Sequence, residues 1–205
     1  MSVQYPLREK RKLKSRADLV GAAIDLFSNQ GFEETTLEAV AEKAGLHVQT
    51  LYRHFPTKTD LVAAIWSESF SAFESFFSAR TGDALSAWRD WVEKRATIVT
   101  RRGNAEYRKN IAEFWAYPTV STITLKFWYR YEEVLAEGIA KDMGVDVDND
   151  PLPTLIACML WGGNMHALRN WADAGGKASL TAAALKVVDT VRDQFGHQLK
   201  GHPTR

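Results

Sequence analysis

The run from Leu46 to Phe55, LHVQTLYRHF, mixes apolar residues with side chains that both donate and accept hydrogen bonds. Gln49 can pair bidentately with the edge of an adenine, and Thr50 can bond a base or a phosphate or set its methyl against thymine. Tyr52 and His54 can reach phosphate oxygens, as can Lys58 and the amides at the start of the helix that follows. Leu51 and Phe55, four apart, form the opposite, inward side of the same short element. A helix this short is not stable alone in water. Its outward row is useful only if a neighbouring element holds it against a partner. The chemistry on offer is recognition rather than bond-making. No GxGxxG, P-loop, HExxH or GxSxG occurs, no acid pair or Ser/His/Asp grouping stands out, and His166 with Asp173 is only a coincidence of helical spacing. The chain is therefore read as a non-enzyme, with no cofactor and no metal.

The elements that position these residues are helical. Few segments alternate with period two, and most apolar residues recur at three and four, which indicates an all-α fold. Leu19, Ala22, Ala23, Leu26 and Phe27 mark a first helix from about Asp18, ended at Gly31. Thr35-Thr36-Leu37-Glu38 has capping-box spacing, with Thr35 accepting and Glu38 reaching back, and opens a helix over Leu37–Ala44. Gly45-Leu46-His47 turns the chain into a second short helix over Val48–His54. Pro56 breaks that helix, and Thr57-Lys58-Thr59-Asp60 is another capping box at the start of a long helix. Two short helices joined by a tight glycine-containing turn form a helix-turn-helix, whose second helix fits a major groove about 12 Å wide. Val40, Ala41, Ala44, Leu46, Leu51 and Phe55 are its expected core.

The stretch TTLEAVAEKAGLHVQTLYRHFPTKTDLVAAI resembles the DNA-binding signature of the TetR-type (tetracycline-repressor-like) transcriptional regulators. The resemblance covers about residues 15–66. It rests on the Phe27…Gly31 helix end, the paired threonines, Ala44-Gly45, Leu51-Tyr52-x-His54-Phe55 and Lys58-x-x-Leu61. It implies that His47, Val48, Gln49 and Thr50 face bases and that Tyr52, His54 and Lys58 hold phosphates; Thr36 is placed with the DNA-binding set. The family commonly has serine where this chain has His47 and glycine where it has Gln49. The first departure leaves the helix cap open. The second gives position 49 a side chain with something to read.

The remaining residues give the expected organisation: a basic disordered arm over 1–16, the helix-turn-helix domain over 17–60, and an effector-binding and dimerisation domain over 61–200. The arm holds Arg8, Lys10, Arg11, Lys12, Lys14 and Arg16 against Glu9, a local +5, which leaves −4 on the rest of a chain of net charge +1. That asymmetry suits contact with a polyanion, along phosphates or in the minor groove. One short helix reads only a few base pairs, so specific binding calls for two copies on a palindromic operator, with half-sites about 34–36 Å or a multiple apart. The last two helices, through Leu155, Met159 and Gly163 with Val187, Val191 and Phe195, are expected to supply half of a four-helix homodimer bundle. Every tryptophan lies beyond residue 65. Trp91, Arg95, Phe114, Trp128, Tyr131, Trp161, Asn164 and Met165 are the candidate lining of a cavity for a flat aromatic or lipophilic effector, with Arg95, Asn164 or His166 as polar anchors. Effector binding is expected to swing the long helix from Thr57 and carry the reading heads out of register; the resemblance favours repression relieved by ligand. Two alternatives remain open: an activator, and the same head answering to a protein partner. The single cysteine, Cys158, excludes an internal disulfide and, flanked by apolar neighbours, is expected to be buried. With no run long enough to span a membrane and no readable secretory signal, a cytoplasmic setting is expected.

Overall fold

The computed structural model describes residues 4–103, 105–114 and 117–199, without the side chains of 4–6 and 111–114. Its helices are α1 (Gln4–Gln30), α2 (Leu37–Lys43), α3 (Val48–His54), α4 (Lys58–Ser78), α5 (Ala84–Arg102), α6 (Ala105–Phe114), α7 (Pro118–Met143), α8 (Leu152–Asp173) and α9 (Leu180–Phe195), followed by a 3-10 turn over Gly196–Gln198. Among the described residues there is no strand.

Local chemistry sets most of the joints. Gly31 ends α1 at φ 93°, and Gly45 turns α2 into α3 at φ 66°, backbone conformations that side-chain-bearing residues rarely adopt. The capping box at α4 is complete. Thr57 accepts from the Asp60 amide, and the Asp60 carboxylate accepts from the Thr57 amide. At α2 the sequence expectation is off by one residue. Thr36, not Thr35, caps the helix by accepting from the Ala39 amide at 3.1 Å. Thr35 is buried, and its hydroxyl donates to the Gly31 carbonyl at 2.7 Å. Either threonine is chemically able to cap, and Gly31's closing turn needs the first one. Pro118 is the first residue of α7, where its missing N–H costs nothing.

Residues 4–16, expected to be disordered, form the first half of α1. Their only proline, Pro6, falls in the first turn, where it is tolerated. Lysine, arginine and leucine are good helix formers, and Lys14 pairs with Asp18 one turn on at 2.7 Å. Charge density indicated a tail; propensity supports a helix.

Two apolar cores share α4. The first gathers Leu19, Ala23 and Phe27 of α1, Val40 and Ala41 of α2, Leu51 and Phe55 around α3, Leu61 and Val62 of α4, and Val120 of α7. The second gathers Phe70, Phe73 and Phe77 of α4 with Leu85, Trp88, Tyr131, Leu135, Ile139, Ile156, Leu160 and Val188. Trp66 packs against both. The seam near residue 60 is therefore no gap: one helix carries the small core into the large one. Within the body, a Cβ on Gly163 would lie 2.6 Å from Val187 Cγ1, so this glycine lets α8 and α9 close on each other. Val191 is buried within its own chain rather than offered outward. Leu155 (56% exposed), Met159 (40%) and the exposed Cys158 lie on the open face of α8, which corrects the expectation of a buried cysteine.

Candidate nucleic-acid interface and internal cavity

Helix α3 is seven residues long and is held from behind by Leu51, fully buried, and Phe55, 2% exposed. His47 caps it. The imidazole Nδ1 accepts from the Gln49 amide at 3.3 Å. With Nδ1 accepting, a neutral ring carries its proton on Nε2, so the capping residue retains a donor. Gln49 is exposed, and Val48 and Thr50 are half-buried beside it. Gln49 thus projects from the first turn of a helix whose back is closed.

Tyr52 is 43% exposed, and its hydroxyl donates to Glu38 Oε1 of α2 at 2.6 Å. This bond holds the Glu38 carboxyl below the usual carboxylate range and raises the Tyr52 phenol. Glu38, expected to reach back to its own helix start, engages Thr36 there and also reaches across the turn. Pairing between residues so far apart in sequence belongs to tertiary structure and has no local signal. Lys58, expected on phosphate, donates its Nζ to the carbonyls of Phe32 (2.8 Å) and Glu33 (3.1 Å) and lies 4.6 Å from the centre of the Phe32 ring. It ties the α1–α2 loop to the start of α4. His54 is half-buried; burial, then Arg53, Lys12 and Arg16, push its pKa below the ordinary value, so it is largely neutral near pH 7. The same neighbours show where the basic half of α1 lies. Lys12 and Arg16 stand beside the C-terminal end of α3, and the Arg16 guanidinium covers the Phe55 ring at 4.9 Å. Exposed α3 side chains and the basic flank of α1 therefore adjoin one another.

Between the two cores lies a cavity of about 280 Å³. Of the residues expected there, Trp91, Arg95, Tyr131, Trp161, Asn164 and Met165 line it. Trp128 does not. Its Nε1 donates to Glu132 on its own helix at 2.7 Å, and its ring meets the outer side of Trp161 at 6.0 Å between centroids. The Phe114 side chain lies outside the described residues. His166 is exposed and hydrogen-bonded to Asn170 at 2.8 Å, away from the cavity. Asn164 is in the wall but is not a free anchor. Its Oδ1 accepts from Trp88 Nε1 (2.9 Å) and its Nδ2 donates to the Ala184 carbonyl (2.8 Å), which satisfies buried groups of α5 and α9.

The sequence reading missed the contribution of the head. Ile24, Phe27 and Ser28 of α1 and Ile65, Trp66 and Ser69 of α4 also line the cavity, as do Tyr107 and Asn110 of α6. Asn110, 5% exposed, donates to the Ser28 carbonyl at 3.0 Å, and Ser69 shares a hydrogen bond with the Tyr131 hydroxyl at 3.2 Å. Wall residues thus touch the head's framework directly. No group of three or more potential metal ligands occurs among the described residues.

Residues 19–65 match the family of bacterial regulatory proteins, tetR family. The HTH-type transcriptional regulator TcmR of Streptomyces glaucescens is 27% identical over 200 residues, covering 92% of this chain and 88% of its own length. Among solved structures, the SmeT–triclosan complex superposes with a TM-score of 0.66 at 17% identity, covering 88% of this chain and 90% of that one. The transcriptional regulator FadR of Bacillus subtilis, in complex with stearoyl-CoA, gives 0.61 at 16% identity, covering 85% and 96%. The all-helical fold described above is shared with both. No helix among the described residues is long and apolar enough to cross a membrane.

Proposed function

We propose that this chain is a TetR-type transcriptional regulator that acts in the cytoplasm as a homodimeric, operator-binding repressor released by a compact aromatic or lipophilic effector held in the cavity. The observation that carries the reading is the division of α3: Leu51 and Phe55 sealed behind it, Gln49 and Tyr52 exposed in front. A short, capped, buttressed helix with a polar outer row is what a major groove admits.

Gln49 is assigned to direct base readout, with His47, Val48 and Thr50 beside it. Tyr52, His54 and the basic flank of α1 position the duplex through its phosphates. Thr36 joins them from the capped start of α2, and Lys58 fixes the loop from which α2 springs. Homodimerisation uses the open face of α8, where Leu155, Cys158 and Met159 are exposed. Charged residues are depleted and apolar ones enriched at the centre of such faces.

The cavity supports ligand-relieved repression because its walls belong to both units. An occupant pressing on Trp66 acts on the helix that carries both cores, and one displacing Asn110 acts on the C-terminal end of α1. Only the difference in affinity between DNA-competent and DNA-incompetent arrangements does work here; about 1–3 kcal/mol changes operator affinity roughly 5–150-fold. Ligand pockets run from roughly 300 to 1,000 Å³, so a cavity of about 280 Å³ suits a compact ligand better than one with a long acyl chain. The test is selection of bound fragments from genomic DNA, followed by titration of the recovered operator with candidate effectors. A shared palindrome released by an aromatic compound is the expected result; absence of any preferred sequence at low ionic strength would end the reading.

A further inference from the structure

We infer that the cavity takes an aromatic acid and that Arg95 is the residue that selects its charge. The inference rests on the cavity being an effector site and names the chemistry of what enters it. The walls carry the large rings of Trp66, Trp88, Trp91, Tyr107, Tyr131 and Trp161, flat surfaces on which another ring packs well. Among the described residues Arg95 is the one lining residue with a formal charge, and no carboxylate, lysine or histidine among them lines the cavity. Its side chain is exposed as well as lining, which puts the guanidinium where the cavity meets solvent.

Three other arginines of the body are engaged. Arg89 bonds Asp189 at 3.0 Å, Arg192 bonds Asp83 at 3.0 Å, and Arg108 donates to the Gly103 carbonyl. Arg95 has no ion pair or hydrogen bond to a described residue; it faces the Trp91 ring at 5.8 Å. Its field also reaches inward. Burial raises the phenols of Tyr107 and Tyr131, and Arg95 is among the groups that pull both back down. A guanidinium presents five donors in a planar fork that matches a carboxylate bidentately. An aryl carboxylate would place its ring among the tryptophans and its charge at the mouth, where partial hydration keeps desolvation small. A cation would meet like charge there, with no acidic group among the described wall residues to offset it.

The test is calorimetric titration of the full-length chain with benzoate, 2-naphthoate and anthracene-2-carboxylate, each paired with its primary amide of matching shape. At least one acid is expected to bind roughly tenfold more tightly than its own amide, the worth of one charge-assisted contact. Arg95→Gln should erase that gap by weakening the acid alone, with the melting temperature and the amide's affinity kept. Arg95→Lys should keep part of it, as a point charge without the fork. Equal binding of acid and amide, or a preference that survives Arg95→Gln, overturns the inference and leaves the cavity a ligand site. A chain that takes neither member of any pair overturns the cavity reading as well.

Discussion

The head and the body of this chain place their working groups in opposite ways. In the head, a small core closes completely around Leu51 and Phe55, and the polar groups of interest are left outside it. In the body, several polar groups have turned inward and paired, as Asn164 has with Trp88 and Ala184; the feature of interest is the space between them. A surface that reads DNA needs a rigid back and a free front. A site that must respond to a ligand needs walls able to exist in two arrangements, so it is built where two cores meet rather than at the centre of either.

The sharpest way to break this contrast is to open the head's core. Leu51→Ala removes a fully buried side chain and should cost about 2–5 kcal/mol. Operator binding should disappear while the body stays folded. Hydrogen exchange checks it: protection should fall over α1–α3 and persist in α8 and α9. Equal loss in both would mean that α4 fuses the cores into one cooperative unit. The matching change in the body is Asn164→Leu, which leaves the Trp88 indole N–H buried without a partner and removes the second bond on the Ala184 carbonyl, a cost of about 1–3 kcal/mol in chemical denaturation. Adding Trp88→Phe should recover part of it by removing the stranded donor.

These cases show what was legible beforehand. Leu51 and Phe55 were found because helical spacing alone puts them behind α3. Thr57 and Asp60, Gly31 and Gly45 were found because capping and left-handed turns have residue signatures. Trp91, Arg95 and Tyr131 were found because ring density marks a cavity even when its shape is unknown. The partner of a polar group was not legible. Asn164, expected as a free anchor, is bonded twice; Lys58, expected on phosphate, also grips two carbonyls; Glu38, expected at its own helix start, also holds Tyr52. Each partner lies more than ten residues away, where periodicity carries no information. The helical arm is the reverse case: propensity was there to be read, and charge was given more weight.

At the reading surface the effects should be smaller and differ in kind. Gln49→Ala should relax preference at one position per half-site by about 1–3 kcal/mol, read by binding to a set of single-base operator variants. Tyr52→Ala should weaken binding to every variant alike. Glu38→Gln sharpens the distinction between these roles. It removes a negative charge beside the exposed Tyr52 hydroxyl and should raise affinity for all sequences together, most at low salt. A change confined to one operator variant would move Tyr52 and Glu38 into the base-reading set.

The smallest effect expected is a pH dependence confined to the body. Asp83 caps α5 by accepting from the Ser86 amide at 2.7 Å, and it accepts from Arg192 of α9 at 3.0 Å. Burial raises its pKa, but the Ser86 amide and the Arg192 guanidinium outweigh burial and hold it below the ordinary 3.8. A carboxyl with a depressed folded value binds its proton more readily in the unfolded chain. Its stabilisation is therefore complete above about pH 4 and drains away as pH falls through the folded value. The pair is partly exposed, so the contribution should be no more than about 1 kcal/mol. Asp83→Asn keeps a good capping side chain and removes only the charge. The variant should melt slightly below wild type at pH 7, and the two curves should converge below pH 4. Followed by hydrogen exchange, the difference should appear across α5 and α9 and leave α3 untouched; a shift in the head instead would show that the α5–α9 joint stabilises the reading helix from a distance.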